Sequence, residues 1–255
     1  MLYSKRVTLS HLVSLALAVI SLGSIHPHKA SASAQARQQE LPYAMHTIRK
    51  SRRGWWTAKA SYFHFASSGP VVALANADLR KNASRTMARF MADLKDAPYD
   101  EGKPPNAWEL DMSGALSVAT RDVISLNYAD YEGTWGAHSN TSYECHSYGL
   151  VHGKAKVLKL GDLFLSGAEG VRQVNQIAMD ELRKNHASFV EDGTVKELPP
   201  EALASFIITP KGITLLISTY LVASYAEGPQ IIEIPYSKLK GINPRGPLKE
   251  FVRTF

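Results

Sequence analysis

The stretch that decides the fold runs from Trp108 to Val151: WELDMSGALSVATRDVISLNYADYEGTWGAHSNTSYECHSYGLV. Apolar and polar residues alternate over Trp108–Ser113, and β-prone runs follow at Leu116–Thr120, Val123–Tyr131 and Thr141–Val151. Such alternation sends successive side chains to opposite faces of a strand. A Gly-rich turn at Gly133–Gly136 separates the last two runs, and Gly153-Lys154 has the composition of a hairpin turn. Strands in direct succession, joined by short turns, predict an antiparallel meander.

Working outward, Trp55–Ala66 is also β-prone, and Ser67-Ser68-Gly69-Pro70 reads as a turn and a helix entry. Val72, Ala75, Leu79, Ala83, Met87, Phe90 and Leu94 then recur every three or four residues, which predicts one long amphipathic helix ended by Asp96–Pro105. Beyond the meander, Leu158–Leu165 closes the section and Ala168–His186 has helical spacing. Phe206–Ile217 reads as a hairpin turning at Pro210-Lys211-Gly212, Gln230–Pro235 as a last strand, and Tyr236–Leu239 as a short helical turn. The fold class that results is α+β: antiparallel β-sheets with two main helices, each packed on a sheet face. Residues 55–255 are expected to form one α+β unit of two sequential halves, about 55–153 and 154–255.

The composition of the 255 residues, 45% hydrophobic and 20% charged, excludes a disordered or fibrous chain. The single cysteine, Cys145, excludes an intrachain disulfide framework. Lys5 and Arg6 precede an apolar run, Leu12–Ile25, which is followed by Ala32-Ser33-Ala34. That order is a signal peptide over residues 1–34, cleaved near Ala34, and it predicts a secreted or periplasmic protein. Residues 35–54 read as a flexible basic leader. Removing Lys5, Arg6 and Lys29 lowers the formal charge from +6 to +3, which gives no reason to expect nucleic acid as a partner. Arg49–Arg53, beside Trp55 and Trp56, suggests a weak contact with an anionic envelope surface.

On a strand from Thr141 to Tyr148, the side chains of Ser142, Glu144, His146 and Tyr148 share one face, with His138 and His152 flanking it. A Glu–His pair can do acid–base work. The alternative to a binding protein is therefore an envelope hydrolase or metal-dependent enzyme using Glu144, His146 and His138. The spacing of these histidines fits no tight metal-ligand motif, so no metal, catalytic residue or cofactor is assigned. The other reading of this face is a polar outer sheet surface. Cys145 falls on the opposite face and reads as a buried, unreactive thiol. Tyr220, Tyr225 and Tyr236 form either a core layer or an aromatic binding surface. No Walker, Rossmann, Gly-x-Ser-x-Gly or His-Glu-x-x-His motif occurs.

Two segments carry a resemblance. The first is Trp135-Gly-Ala-His-Ser-Asn140, with Tyr148-Gly-Leu, Gly153-Lys154 and Leu160-Gly-Asp-Leu-Phe164. The second is Phe206-x-Ile-Thr-x-Lys-Gly212, then Tyr220-x4-Tyr225-Ala-Glu-Gly-Pro229 and Ile234-Pro-Tyr-x-x-Leu239. Together they resemble the paired extracytoplasmic domains of unknown function in the lysozyme-sensing anti-sigma-V factor of Gram-positive bacteria. A similar module precedes the catalytic domain of a peptidoglycan polysaccharide deacetylase. Trp135 stands where the family usually has Gly, and Ser224 where it often has Pro. The resemblance implies an α+β, non-catalytic binding module of the cell envelope. Its implied partner is a lysozyme-like protein or the peptidoglycan glycan. The candidate binding residues are His138, Asn140, Glu144, His146, Tyr225, Glu227 and Tyr236.

Overall fold

A computed structural model describes residues 41–96, 107–134 and 138–252. The expected signal peptide and most of the segment expected to end the first helix lie outside them. Strands β1 (Tyr43–Arg52) and β2 (Trp56–Phe65) pair as an antiparallel hairpin, in unbroken register from Tyr43↔Phe65 to Arg52↔Trp56. Much of the stretch expected to be a flexible leader is therefore a strand. Its polar sequence hid it for a physical reason: β1 is an edge strand and buries almost nothing.

Pro70 opens helix α1 (Pro70–Asp96) at the position where its missing N–H costs nothing. The helix carries the chain back across the sheet, so β3 (Trp108–Ala119) starts beside the start of β2 and pairs with it in parallel. The sheet is thus mixed, and the expectation of purely antiparallel pairing fails at this one pair. Residues 108–119, read as two runs, form a single strand with a register shift between Leu116 and Val118. Strands β4 (Val123–Gly133), β5 (Asn140–Val151) and β6 (Lys154–Val157) then add in sequence, giving a six-stranded sheet of order β1 to β6. Helix α1 packs on β2, β4, β5 and β6. Its apolar row, Ala75, Leu79, Ala83, Met87, Phe90 and Leu94, is buried against Ala58, Ala60, Phe63, Leu110, Met112 and Tyr128.

A short 3-10 turn (Leu160–Leu163) leads into α2 (Gly167–Lys184), and two brief helices follow, α3 (Ser188–Glu191) and α4 (Pro200–Ala204). Helix α2 buries Val174, Ala178, Met179 and Leu182 in a second core, shared with β7 (Phe206–Ile208), β8 (Gly212–Ile217) and β9 (Gln230–Pro235). These three strands form an antiparallel sheet of order β7-β8-β9. The chain turns from β7 to β8 at Pro210-Lys211-Gly212, as the sequence predicts. Among the described residues no helix is long and apolar enough to cross a membrane.

The two sheets meet through serines. Edge strand β7 turns its free backbone groups to the face of the large sheet that lies opposite α1. The Ile208 N–H donates to Ser125 Oγ at 2.7 Å, while Ser117 Oγ donates to the Ile208 carbonyl at 2.8 Å and Ser147 Oγ to the Phe206 carbonyl at 3.4 Å. Ser125 and Ser147 also bond to each other at 2.8 Å. Buried backbone groups must find partners, and here three neighbouring strands of the large sheet supply them.

Candidate functional site

All the expected site residues but Tyr236 fall into two clusters. The first lies under α1. A polar row on that helix, Asp78, Asn82, Arg85 and Arg89, runs beside its apolar row; Asp78 and Asn82 follow Ala75 and Leu79 by three residues and so lie about 60° round the helix axis from them. It meets Glu144, His146 and Tyr148 of β5. The face of β5 expected to be either catalytic or an outer polar surface is in fact covered by the helix. Asn82 Nδ2 donates to Glu144 Oε2 at 2.7 Å and stands 3.3 Å from His146 Nε2. Tyr148 donates to Asp78 Oδ2 at 2.8 Å, and its hydroxyl lies 3.3 Å from His146 Nδ1. Arg85 donates to Asn82 Oδ1, and Arg89 pairs with Glu132 of β4. His146 therefore sits between two carboxylates, 3.7 Å from Asp78 and 3.6 Å from Glu144.

The electrostatics of this cluster are those of a clamp. Burial opposes charge on His146, but Asp78 and Glu144 together outweigh it and hold the imidazole above its ordinary pKa. In return, His146 lowers Asp78 and takes Glu144 down to about 2, against the effect of burial. Asp130 of β4 lies in the same region. It is 1% exposed and neither carboxylate oxygen has a hydrogen-bond partner. Burial, reinforced by Glu144, pushes its pKa up to about 7. The sequence carried a signal for Asp130: it continues the period-two row Ile124, Leu126, Tyr128 of an inward-facing strand. The partners on α1 had no comparable signal, because polar residues beside an apolar stripe usually face water.

The second cluster lies where β5 begins. His138 stacks on Tyr225 with ring centroids 3.8 Å apart and planes 19° from parallel. Tyr220 stacks on Tyr225 in turn, at 5.8 Å and 26°. The Tyr225 hydroxyl donates to the Ser139 carbonyl at 2.7 Å, and the Tyr220 hydroxyl lies 3.4 Å from His138 Nε2. Thr219 donates to Asn140 Oδ1 at 3.3 Å. Tyr220 is 53% exposed and His138 is exposed as well. The three rings therefore form a stack open to solvent. Tyr220 also holds a positive φ of 67°, a conformation unusual for a bulky residue and one that recurs at functional sites.

Glu227 fixes this arrangement from behind. Its carboxylate accepts from the Ser224 and Ser188 hydroxyls at 2.6 Å each and from the backbone N–H of both residues. These donors hold its pKa down at about 2. Glu227 thus ties the 3-10 turn Tyr225–Glu227 to the start of α3. Tyr236 does not join the stack: it is buried, stacks on Phe251 and donates to the Thr209 carbonyl at 2.8 Å. Nor does His138 share a partner with His146 and Glu144, so the three residues of the hydrolase alternative form no common centre. Among the described residues no group of three or more His, Cys, Asp or Glu side chains is placed to hold a metal. Cys145 faces the other way, takes a hydrogen bond from Ser205 at 3.4 Å, and is pushed by burial up to about 12. An apolar cavity of about 730 Å³ between Leu158, Leu160, Val171, Leu203 and Phe206 holds none of the expected site residues.

With this geometry in place, likenesses to known proteins can be set against it. Residues 161–237 match the family described as protein of unknown function, DUF3298. That segment contains Tyr220, Tyr225, Glu227 and Tyr236, while His138, Asn140, Glu144 and His146 precede it. The peptidoglycan-N-acetylmuramic acid deacetylase PdaC of Bacillus subtilis is 27% identical over 185 residues, 71% of this chain and 39% of the deacetylase. The chain thus spans well under half of that relative. A DUF3298 family protein from Pseudomonas aeruginosa shares the fold, with a TM-score of 0.57 over 80% of this chain and 95% of that one, at 17% identity.

Proposed function

We propose that this protein is an extracytoplasmic binding module that holds the glycan of the bacterial cell wall on the ring stack of His138, Tyr225 and Tyr220. The exposed stack carries the proposal. Three rings with nearly parallel planes, open to water and fixed from behind by Glu227, present the flat amphipathic faces on which the C–H faces of sugar rings pack. Preorganisation matters, because rings already held in place lose little entropy when a ligand arrives. Support comes from the likeness to a deacetylase whose name places its action on peptidoglycan, and from the secretory signal read at the N-terminus. A lysozyme-like protein is the other partner implied by the family resemblance. Lysozymes are often basic, and a mature chain of formal charge +3 repels such a partner at long range. Glycan is therefore the reading we favour.

The test is co-sedimentation of the protein with purified peptidoglycan sacculi. Wild-type protein is expected to pellet with the sacculi, and Tyr225→Ala to weaken retention about tenfold, with its thermal transition otherwise preserved. Retention unchanged in Tyr225→Ala, or none in the wild type, would overturn the proposal.

A further inference from the structure

The register of the large sheet places a second feature at the same end as the ring stack. The β1–β2 turn lies beside the start of β3, through Trp56↔Trp108. The start of β3 lies beside the end of β4, through Glu109↔Gly133, and the end of β4 beside the start of β5, through Glu132↔Asn140. One row of directly opposed residues crosses five strands: Arg49, Lys59, Asp111, Tyr131 and Thr141. Opposed residues share a face, and this row lies on the face opposite α1. It leads from the turn to Asn140 and the rings, across four strand spacings or roughly 19 Å.

Along the row Arg49 is followed by the ion pair of Lys59 with Asp111 and then by Tyr131, and exposed Glu109 lies on the same face two residues before Asp111. Lys59 is paired with Asp111 at 3.1 Å. Arg49, Lys50, Arg52 and Arg53 have no carboxylate within ion-pairing distance among the described residues, and all four are exposed; Lys50 and Arg52 oppose Ala58 and Trp56 and so lie on the α1 face, which leaves Arg49 on the face of the row and Arg53 in the turn. The Arg52 guanidinium lies 4.1 Å from the Trp55 ring centre, which holds it over the turn without neutralising it. Between the turn and the rings, Tyr131 is 36% exposed. Two exposed guanidinium groups suited to planar anions, Arg49 on this face and Arg53 in the turn, end one side of a track whose other end is a stack of rings.

We infer that the glycan taken by the ring stack is an anionic polymer. It lies across the strands with sugar rings on Tyr131 and on the Tyr220–Tyr225–His138 stack, and acidic groups on Arg49 and Arg53 at the β1–β2 turn. This inference rests on the glycan reading above and deepens it by naming the charge class of the ligand and a second contact.

The experiment compares one polymer in two charge states. Soluble peptidoglycan strands are used either with their carboxyl groups intact or after conversion of those groups to amides. Wild-type full-length protein is expected to bind the intact strands about tenfold more tightly at 50 mM salt, with most of the difference gone at 500 mM, because exposed charge pairs are screened over a Debye length of about 10 Å at 0.1 M. The double variant Arg49→Gln, Arg53→Gln is expected to bind both forms alike, at the wild-type affinity for the amidated form. Both substitutions are at exposed positions, and an unchanged melting temperature checks the fold. Equal wild-type affinity for the two forms, with Tyr225→Ala still weakening both, overturns the anionic assignment and leaves the ring stack standing. Failure of both forms to bind overturns the glycan reading and this inference with it.

Discussion

At the scale of single residues, Asp130 is buried with neither carboxylate oxygen hydrogen-bonded among the described residues. A buried carboxylate without a partner resists ionisation, so the folded protein keeps its proton to about pH 7 while the unfolded chain loses it near 3.9. Between those values the folded state binds more protons, so stability falls as pH rises through that window. His146 acts in the same direction: its stabilising charge is complete below the unfolded value and lost as pH climbs through the raised folded one. Glu144 and Asp78, both depressed, act oppositely and lose their contribution as pH falls below the usual carboxylate range. Stability should therefore peak on the acidic side of neutrality. Asp130→Asn removes the unpaired charge but leaves a buried amide. It is expected to stabilise the protein by about 2–3 kcal/mol at pH 8 and by almost nothing at pH 5, as read from denaturant unfolding. An equal effect at both pH values would show that Asp130 is neutral throughout or is paired.

Elements show what could be read from the sequence and what could not. Gln230–Pro235 and the Pro210–Gly212 turn stand where alternation and turn chemistry put them, because local rules decide both. The strand β1 did not stand out, since an edge strand needs no apolar face. The parallel β2–β3 pair follows from the crossover through α1, a tertiary fact that period-two alternation does not encode. In the candidate site, the face shared by Glu144, His146 and Tyr148 was legible, but its cover was not. The helix that lies on it presents Asn82 and Asp78, residues whose burial depends on what they meet. The same logic yields a prediction in α2. Gly→Ala within a helix ordinarily gains up to about 1 kcal/mol. At Gly170, however, an added Cβ would lie 2.1 Å from the buried Phe164 ring. Overpacking should win, and Gly170→Ala is expected to destabilise by about 1–3 kcal/mol in thermal or chemical unfolding.

For the whole molecule, the large sheet does two jobs with its two faces. One face carries α1, clamped by the apolar row and by the His146 network. The other seats β7 through Ser117, Ser125 and Ser147, which brings the second sheet and the Tyr220–Glu227 segment against the start of β5. The ring stack is thus assembled from residues more than eighty positions apart in sequence. This is why Tyr220, Tyr225 and Tyr236 could not be sorted into core and surface before the fold was known. The central claim is that this assembled end of the sheet, and not the clamp under α1, meets the ligand. The most direct test is to map amide chemical-shift changes across the protein as soluble peptidoglycan strands are added. The account predicts changes concentrated at His138–Thr141, Ser218–Tyr225, Tyr131 and the β1–β2 turn, with Glu144 and His146 undisturbed. Changes centred on α1 and the Glu144–His146 network, or on the apolar cavity beside α2, would contradict it.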